Sequence, residues 1–399
     1  MVGLNLPQAA PAAGYPALFR RFIANSLDFA LAEVQNRALL SDAERKEALR
    51  SLAYGLEEAS TRRQTVALLL ALAPHQLRAG WGEEWSHFLE RGLSIAVEPD
   101  HRAEIAYHLG ELAQYQGHAA QAEDHFAASV AEFAQAGRIR QQARSLNRLA
   151  YALRLQQRQP EARRLAADAL ALLDSGDPEW AYSHFVLGVI AFDQGDAQAA
   201  ADCLSTALAG WELNGSDEHR ADGLVNLAPA LRRLGRFDEA IAALKEAGQH
   251  FARRRNPRRE GLVCLNLGNI YLSQERWAEA LARFQPAEQL FRQVGDDLHA
   301  AINFNNMGVA CRRLGRLEEA ERAFLLAIAG FEEMDQPVHH INALDGLGNT
   351  YRDCGRMELA VETYQRALAR AEEAADPAPL QPLAAEVRTH LAGLLHFTP

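Results

Sequence analysis

The chain has 399 residues, 48% of them hydrophobic, and carries 41 basic against 52 acidic side chains for a net charge of -11. That length exceeds what one hydrophobic core organises, so the chain either divides into domains or grows by stacking repeats. Its acidity argues against a general binder of nucleic acid or anionic membrane. Alanine and leucine make up much of the apolar content and β-branched runs are few, a helical composition.

Residues 1–14 contain no basic segment followed by an apolar one, so they are not a secretory signal, and they are expected to be disordered. YPALFRRFIANSLDFALAEVQN (15–36) predicts a helix, and Ser41 opens a second through the capping box it forms with Glu44. TRRQTVALLLALAPHQ (61–76) and GEEWSHFLERGLSIAVE (82–98) read as a degenerate helical pair, and TVALLLALA within the first is far too short to span a membrane. Together, residues 15–100 are expected to form an N-terminal helical cap.

Residues 101–376 repeat. Small residues recur at Gly110, Ala150, Gly188, Ala228, Gly268, Gly308 and Gly348, at intervals of 40 or 38. Alanine follows each by twelve positions, at Ala122, Ala162, Ala200, Ala240, Ala280, Ala320 and Ala360. Gly117, Gly195, Gly235, Gly315 and Gly355 lie between the two marks, where a left-handed residue ends one helix before the next begins. Each unit is therefore helix, turn, helix, with its small residues at close helix contacts. One such unit cannot bury its apolar face alone, and stacked neighbours can. Pro229 marks the fourth unit as a place where a bend is expected. Beyond the array, DPAPLQP breaks the register and LAAEVRTHLAGLLHF (383–397) predicts an amphipathic closing helix within a C-terminal cap, 377–399.

LNLGNIYLSQERWAEALARFQPA (265–287) resembles a tetratricopeptide repeat, with Gly268, Tyr271, Ala280, Phe284 and Ala287 at the family's small and aromatic positions. The 40-residue period is similar to the subclass found in kinesin light chains, spindle-orientation scaffolds, peptide-responsive bacterial regulators and the sensor region of maltose-type activators. The resemblance implies an all-α, right-handed solenoid of about seven repeats whose first helices line a concave groove.

Counting the marked small residue as position eight, positions 2, 6, 9 and 13 form a stripe on that groove, flanked by 5 and 12. The stripe is aromatic toward one end: Tyr107, Tyr115, Tyr151, Tyr182, Phe185 and Phe192. Toward the other it carries Asn226, Arg232, Arg233, Asn266, Asn269, Asn305, Asn306, Arg312, Arg313, Asn349 and Arg352. Asparagine both donates to and accepts from a peptide backbone, and arginine holds a carboxylate by two parallel hydrogen bonds. The stripe thus suits a peptide with apolar anchors at one end and acidic side chains at the other. The same residues also suit packing and capping inside the array, and both readings stand on sequence alone. The carboxylate clamp of chaperone-binding relatives does not carry over: Asn266 and Asn306 match its asparagine, but Val225 or Leu265 stands where its lysine is required.

Phosphate loops, zinc signatures, nucleophile elbows and dinucleotide fingerprints are absent from the sequence. Cys203, Cys264, Cys311 and Cys354 are widely spaced and read as reduced, mostly buried thiols in the cytoplasm. His339 and His340 read as solvated residues of a connection, and Arg236, Arg316 and Arg356 as solvated residues after turns. The sequence therefore predicts a non-enzymatic adaptor or regulator that binds a protein or peptide, with no metal, cofactor, nucleic acid or membrane partner. The alternatives are a sensor gated by a small ligand or signal peptide and acting on an output partner in trans, a structural role in a larger assembly, and an enzyme whose site lies in residues 1–100.

Overall fold

The computed structural model describes residues 15–37, 39–79, 84–374 and 380–395, and among these the regular structure is entirely helical. The expectation of disorder at 1–14 lies outside the described residues. Packing divides the chain into an N-terminal unit, Met1–Ile190, and a C-terminal unit, Ala191–Pro399.

The N-terminal unit opens with α1 (Tyr15–Gln35), α2 (Asp42–Glu57), a 3-10 turn (Ala59–Thr61), α3 (Arg62–Ala79) and α4 (Trp85–Ile95). Ser41 caps α2 as its sequence predicts: Glu44 N–H donates to the Ser41 hydroxyl and Ser41 N–H donates to the Glu44 carboxylate at 2.8 Å. Leu27, Leu52, Leu69, Leu72, Trp85 and Leu89 form one core, which continues into Ile105 and Leu109 of α5 (Pro99–Tyr115). The opening helices therefore shield the apolar end of the first repeat. Two hairpins come next, α5 with α6 (Ala119–Gln135) and α7 (Ile139–Leu155) with α8 (Gln159–Ala171), and then α9 (Pro178–Asp193), whose last residues cross into the next unit.

In the C-terminal unit, α10 (Ala197–Leu213) precedes four more hairpins: α11 (Asp217–Arg233) with α12 (Phe237–Arg254), α13 (Pro257–Ser273) with α14 (Trp277–Val294), α15 (Asp297–Arg313) with α16 (Leu317–Glu333), and α17 (Pro337–Asp353) with α18 (Met357–Glu372). α11 runs unbroken through Pro229. The closing helix α19 (Gln381–Leu395) adds Ala384, Val387 and Leu394 to the core that contains Tyr364 and Leu347.

Close contact within a hairpin is a ring laid on a glycine. A Cβ built on Gly268, Gly308 or Gly348 would stand 2.2, 2.8 and 2.5 Å from the rings of Phe284, Phe324 and Tyr364, sixteen residues on. Where alanine replaces the glycine, at Ala150 and Ala228, the residue sixteen positions later shrinks to Ala166 and Leu244. The two positions thus share one volume, and the alanines at the second mark are buried to 1% exposure or less throughout.

The turn needs a left-handed residue even where glycine is missing: Gln157 and Glu275 adopt φ of 63° and 59° in the position Gly117, Gly235, Gly315 and Gly355 hold elsewhere. Such a conformation costs an ordinary residue about 1–2 kcal/mol. Glu275→Gly is therefore expected to raise stability by about 0.5–1 kcal/mol after the entropy of the glycine is subtracted, measured by thermal or urea unfolding.

The paired histidines depart from the solvated reading. Both lie in the first turn of α17, where His339 stacks on Phe331 at 5.1 Å and His340 is 6% exposed with neither ring nitrogen hydrogen-bonded. The inter-repeat contact is tight enough there to bury the helix start. Burial holds both imidazoles below their usual pKa; at His340, Glu332 opposes this and Arg370 and Arg366 add to it. The unfolded chain then takes up these protons more readily, so their contribution to stability is complete above about pH 6.5 and is lost as pH falls below it. A lower melting temperature at about pH 5.5 than at about pH 7.5 is expected, with the gap narrowed in His340→Leu.

Candidate functional site

In the C-terminal unit the predicted stripe forms one laterally bonded face. Arg233 of α11 lies over the Phe192 ring at 3.9 Å and donates to the Phe192 carbonyl at 3.0 Å. Arg232 donates to the Ser273 hydroxyl at 2.9 Å on α13. The Asn306 amide of α15 donates to the Asn269 carbonyl oxygen at 2.8 Å, and Asn305 donates to Asn306 at 3.3 Å. Arg312 pairs with Asp353 of α17 at 2.8 Å. The links between helices join residues 37 to 41 apart, one repeat, so the face follows from the period.

The cations on this face differ in what they already hold. Asp353 receives both Arg312 and Arg352, the latter at 3.2 Å, so neither guanidinium is the open carboxylate holder its sequence position predicts. Arg313, exposed, lies 5.7 Å from the Trp277 ring. Arg232 is partly buried, forms no ion pair among the described residues, and has burial, then the neighbouring Arg233, acting against its charged form. It is the cation whose environment a carboxylate would improve.

The amides divide similarly. Asn226 donates to the Asp222 carbonyl one turn back, at 2.9 Å. Asn349 is withdrawn from the stripe: it is 6% exposed, donates to Asp345 and accepts from the Tyr364 hydroxyl, while His390 of α19 bonds Asp345 at 2.7 Å. The closing helix therefore seats on the last repeat and bonds the same carboxylate that holds Asn349. Desolvation, first among the causes, pushes the Tyr364 hydroxyl up to about 12, so it stays protonated and able to donate. Asn266 is half-buried and retains hydrogen-bonding capacity, whereas the Asn305 carbonyl oxygen is fully buried without a partner.

The aromatic end is altered more. Tyr107 and Phe185 are 4% and 8% exposed, so they serve as packing rather than as open anchors. Position 5 of the repeat points beneath the face here, toward Phe126 at 5.8 Å in the case of Tyr107. Tyr182 packs against Phe185 and accepts a hydrogen bond from Arg148. Tyr151, half-buried, has Arg154 over its ring at 5.1 Å; Tyr115 remains 66% exposed at the end of α5.

What sequence reasoning missed is the charge cluster that fills this end. Arg148 donates to the Tyr107 hydroxyl at 3.1 Å as well as to Tyr182, and Arg144 lies over the Tyr107 ring at 3.9 Å while pairing with Glu104 at 2.7 Å. Glu111 accepts from His108 at 3.0 Å. Burial pushes the Glu111 carboxyl up, but the His108 hydrogen bond and the Arg148 charge outweigh it and hold the group below its usual range. Burial dominates at Glu179, which is raised despite Arg148, Arg144 and Arg140. Nothing in the residue types reveals this cluster, because its members come from three repeats and are ordinary surface residues when read one helix at a time.

Other arginines also gain partners. Arg236 and Arg316, expected to be solvated, each hold the glutamate three residues on, Glu239 and Glu319, at 2.6 Å, and Arg356 reaches Glu321 at 2.8 Å. All three remain largely exposed, so solvent screens each pair and it contributes little to stability. Of the four cysteines only Cys311 is buried; Cys354 is exposed.

Tetratricopeptide-repeat family models match residues 142–173, 179–247, 262–333 and 343–378. The chain belongs to the tetratricopeptide-repeat superfamily, whose repeats serve protein interaction. A search of the curated proteins finds no match. Among solved structures, the apo form of RapI is similar at 12% identity and a TM-score of 0.55, covering 68% of this chain and 99% of its own. A Rap protein complexed with Competence and Sporulation Factor is similar at 13% identity and a TM-score of 0.53, covering 94% of this chain and 98% of its own. At these identities the likeness is one of fold.

Proposed function

We propose that the chain is a non-enzymatic cytoplasmic adaptor or regulator, and that the first-helix face of its C-terminal unit holds a segment of a partner protein bearing an acidic side chain. The observation that carries this reading is Arg232, a half-buried guanidinium whose hydrogen-bond partner is a neutral hydroxyl and whose neighbour is a second cation. A carboxylate there gains a charge-assisted hydrogen bond and relieves the repulsion. Asn266, on the following first helix, supplies donor and acceptor capacity for a peptide backbone. Arg312 and Arg352 contribute less, because Asp353 already neutralises them. Among the described residues no helix is long and apolar enough to cross a membrane.

Peptide display against the whole chain is expected to enrich segments containing Asp or Glu. Arg232→Glu is expected to weaken the selected peptides by about tenfold or more, about 1.4 kcal/mol, with an unchanged melting curve, and Arg352→Glu to weaken them less. Peptides without acidic bias, or indifferent to Arg232→Glu and Asn266→Ala, would sink the reading. The Rap protein solved as a complex with Competence and Sporulation Factor supports a bound partner as an occupant for this fold. The second reading, ligand gating, predicts that a small ligand raises the melting temperature in a thermal-shift screen.

A further inference from the structure

Helix α1 carries two apolar stripes. Ile23, Leu27, Ala30 and Val34 face the core and are 6% exposed or less. The second stripe points to solvent: Leu18, Phe22 and Phe29 are 58, 62 and 67% exposed, with Asn25 completing a 4-3-4 spacing and Phe19, 55% exposed, beside them. Scattered exposed apolar residues are ordinary, but a row at this spacing is the seam by which one helix meets another.

We propose that this seam is a homodimer interface, in which α1 packs antiparallel against α1 of a second copy across a two-fold axis. In that register Leu18 layers with Phe29 of the second copy, and Phe22 with its Asn25, and each layer occurs twice. Charge fixes the direction. Arg21 and Asp28 flank the seam on one side, seven residues apart, both exposed and without an ion pair among the described residues. Antiparallel packing sets Arg21 against Asp28 of the second copy and Asp28 against its Arg21. A parallel arrangement instead brings Asp28 toward Glu33 of the second copy. A lipid surface suits the seam poorly, because Asp28 lies at its edge and the chain is acidic overall, at -11. The seam is short, roughly 17 Å of helix, so the dimer is weak and depends on concentration.

The test is sedimentation velocity on the full chain over about a hundredfold range of concentration. The expected result is a dimer fraction that rises with concentration, with a dissociation constant raised at least about tenfold by Phe22→Asp. Arg21→Asp and Asp28→Arg each weaken the dimer and R21D/D28R restores it. An equimolar mixture of the two single variants associates better than either alone, because the mixed dimer pairs opposite charges at both sites. Phe22, Arg21 and Asp28 are exposed, so unchanged melting curves confirm that the variants fold. The proposal is overturned by a monomer at every concentration, by a dimer indifferent to Phe22→Asp, or by a charge swap that rescues nothing. It is equally overturned by a chain that dimerises only when residues 2–14 are deleted, or by a monomer whose α1 face binds phosphatidylcholine and phosphatidylserine vesicles.

Discussion

Phe324→Ala is expected to destabilise the C-terminal unit by about 3–5 kcal/mol. The ring is fully buried and lies on two glycines at once, since a Cβ on Gly308 would stand 2.8 Å from it and one on Gly346 2.4 Å. Removing it therefore opens a cavity against a hairpin partner, α15, and against the following repeat, α17, and neither helix has a side chain at those positions to collapse into the space. Urea unfolding followed by circular dichroism measures the loss. In a repeat array the damage also spreads to the neighbouring interface, so hydrogen exchange should show α17 losing protection along with α15 and α16. The shared volume of the two positions makes a sharper prediction. Gly308→Ala alone drives a methyl into the ring, whereas the Ala228 and Leu244 combination of another repeat shows which pair fits. The double variant Gly308→Ala with Phe324→Leu should lose less than the sum of its single losses, with a coupling of about 0.5–3 kcal/mol. Additive losses would show that the two positions do not share one space.

The repeat was legible because the fold spends its sequence signal on contacts made within 40 residues: small residues at the ring contact, alanine at the second helix and glycine at the turn. The turn needed only that much, and Gln157 and Glu275 show that the backbone conformation persists where its usual residue does not. The face was half legible. Period placed Arg232, Arg312 and Arg352 in equivalent positions, but whether a guanidinium is open depends on the residue one repeat later, Ser273 for the first and Asp353 for the second. Asn349 leaves the stripe for a different reason, its hydrogen bonds to Asp345 and from Tyr364 of the paired helix, with His390 of α19 held by the same Asp345. The aromatic end differs from its expectation because a tyrosine on the stripe is compatible both with an open anchor and with a hydroxyl that satisfies a half-buried arginine. Only the position of Arg148 decides between them.

Arg148 is for that reason the second residue whose loss should be severe. It donates to the Tyr107 and Tyr182 hydroxyls, its planar group lies 4.5 Å from the Tyr182 ring, and its charge helps hold the half-buried Glu111 ionised. Arg148→Met keeps much of the side-chain volume but leaves a half-buried carboxylate undercompensated and two phenols without their donor, so a loss of about 2–4 kcal/mol is expected. The origin of that loss can be tested through its pH dependence. In the native chain Glu111 is held below its usual range, so its contribution is present above the unfolded carboxylate value of about 4.3 and is lost as pH falls through the folded one. Without Arg148, burial is left with less opposing it and the carboxyl takes up a proton at higher pH, which relieves the buried charge. The gap between Arg148→Met and the native chain should therefore narrow between about pH 7 and about pH 4.5. A gap constant over that range would assign the loss to packing and to the two phenol hydrogen bonds, and Tyr107→Phe and Tyr182→Phe would then reproduce most of it. A gap that closes would mean that the aromatic end of the stripe is held together by charge and is unavailable to a partner without unfolding that network.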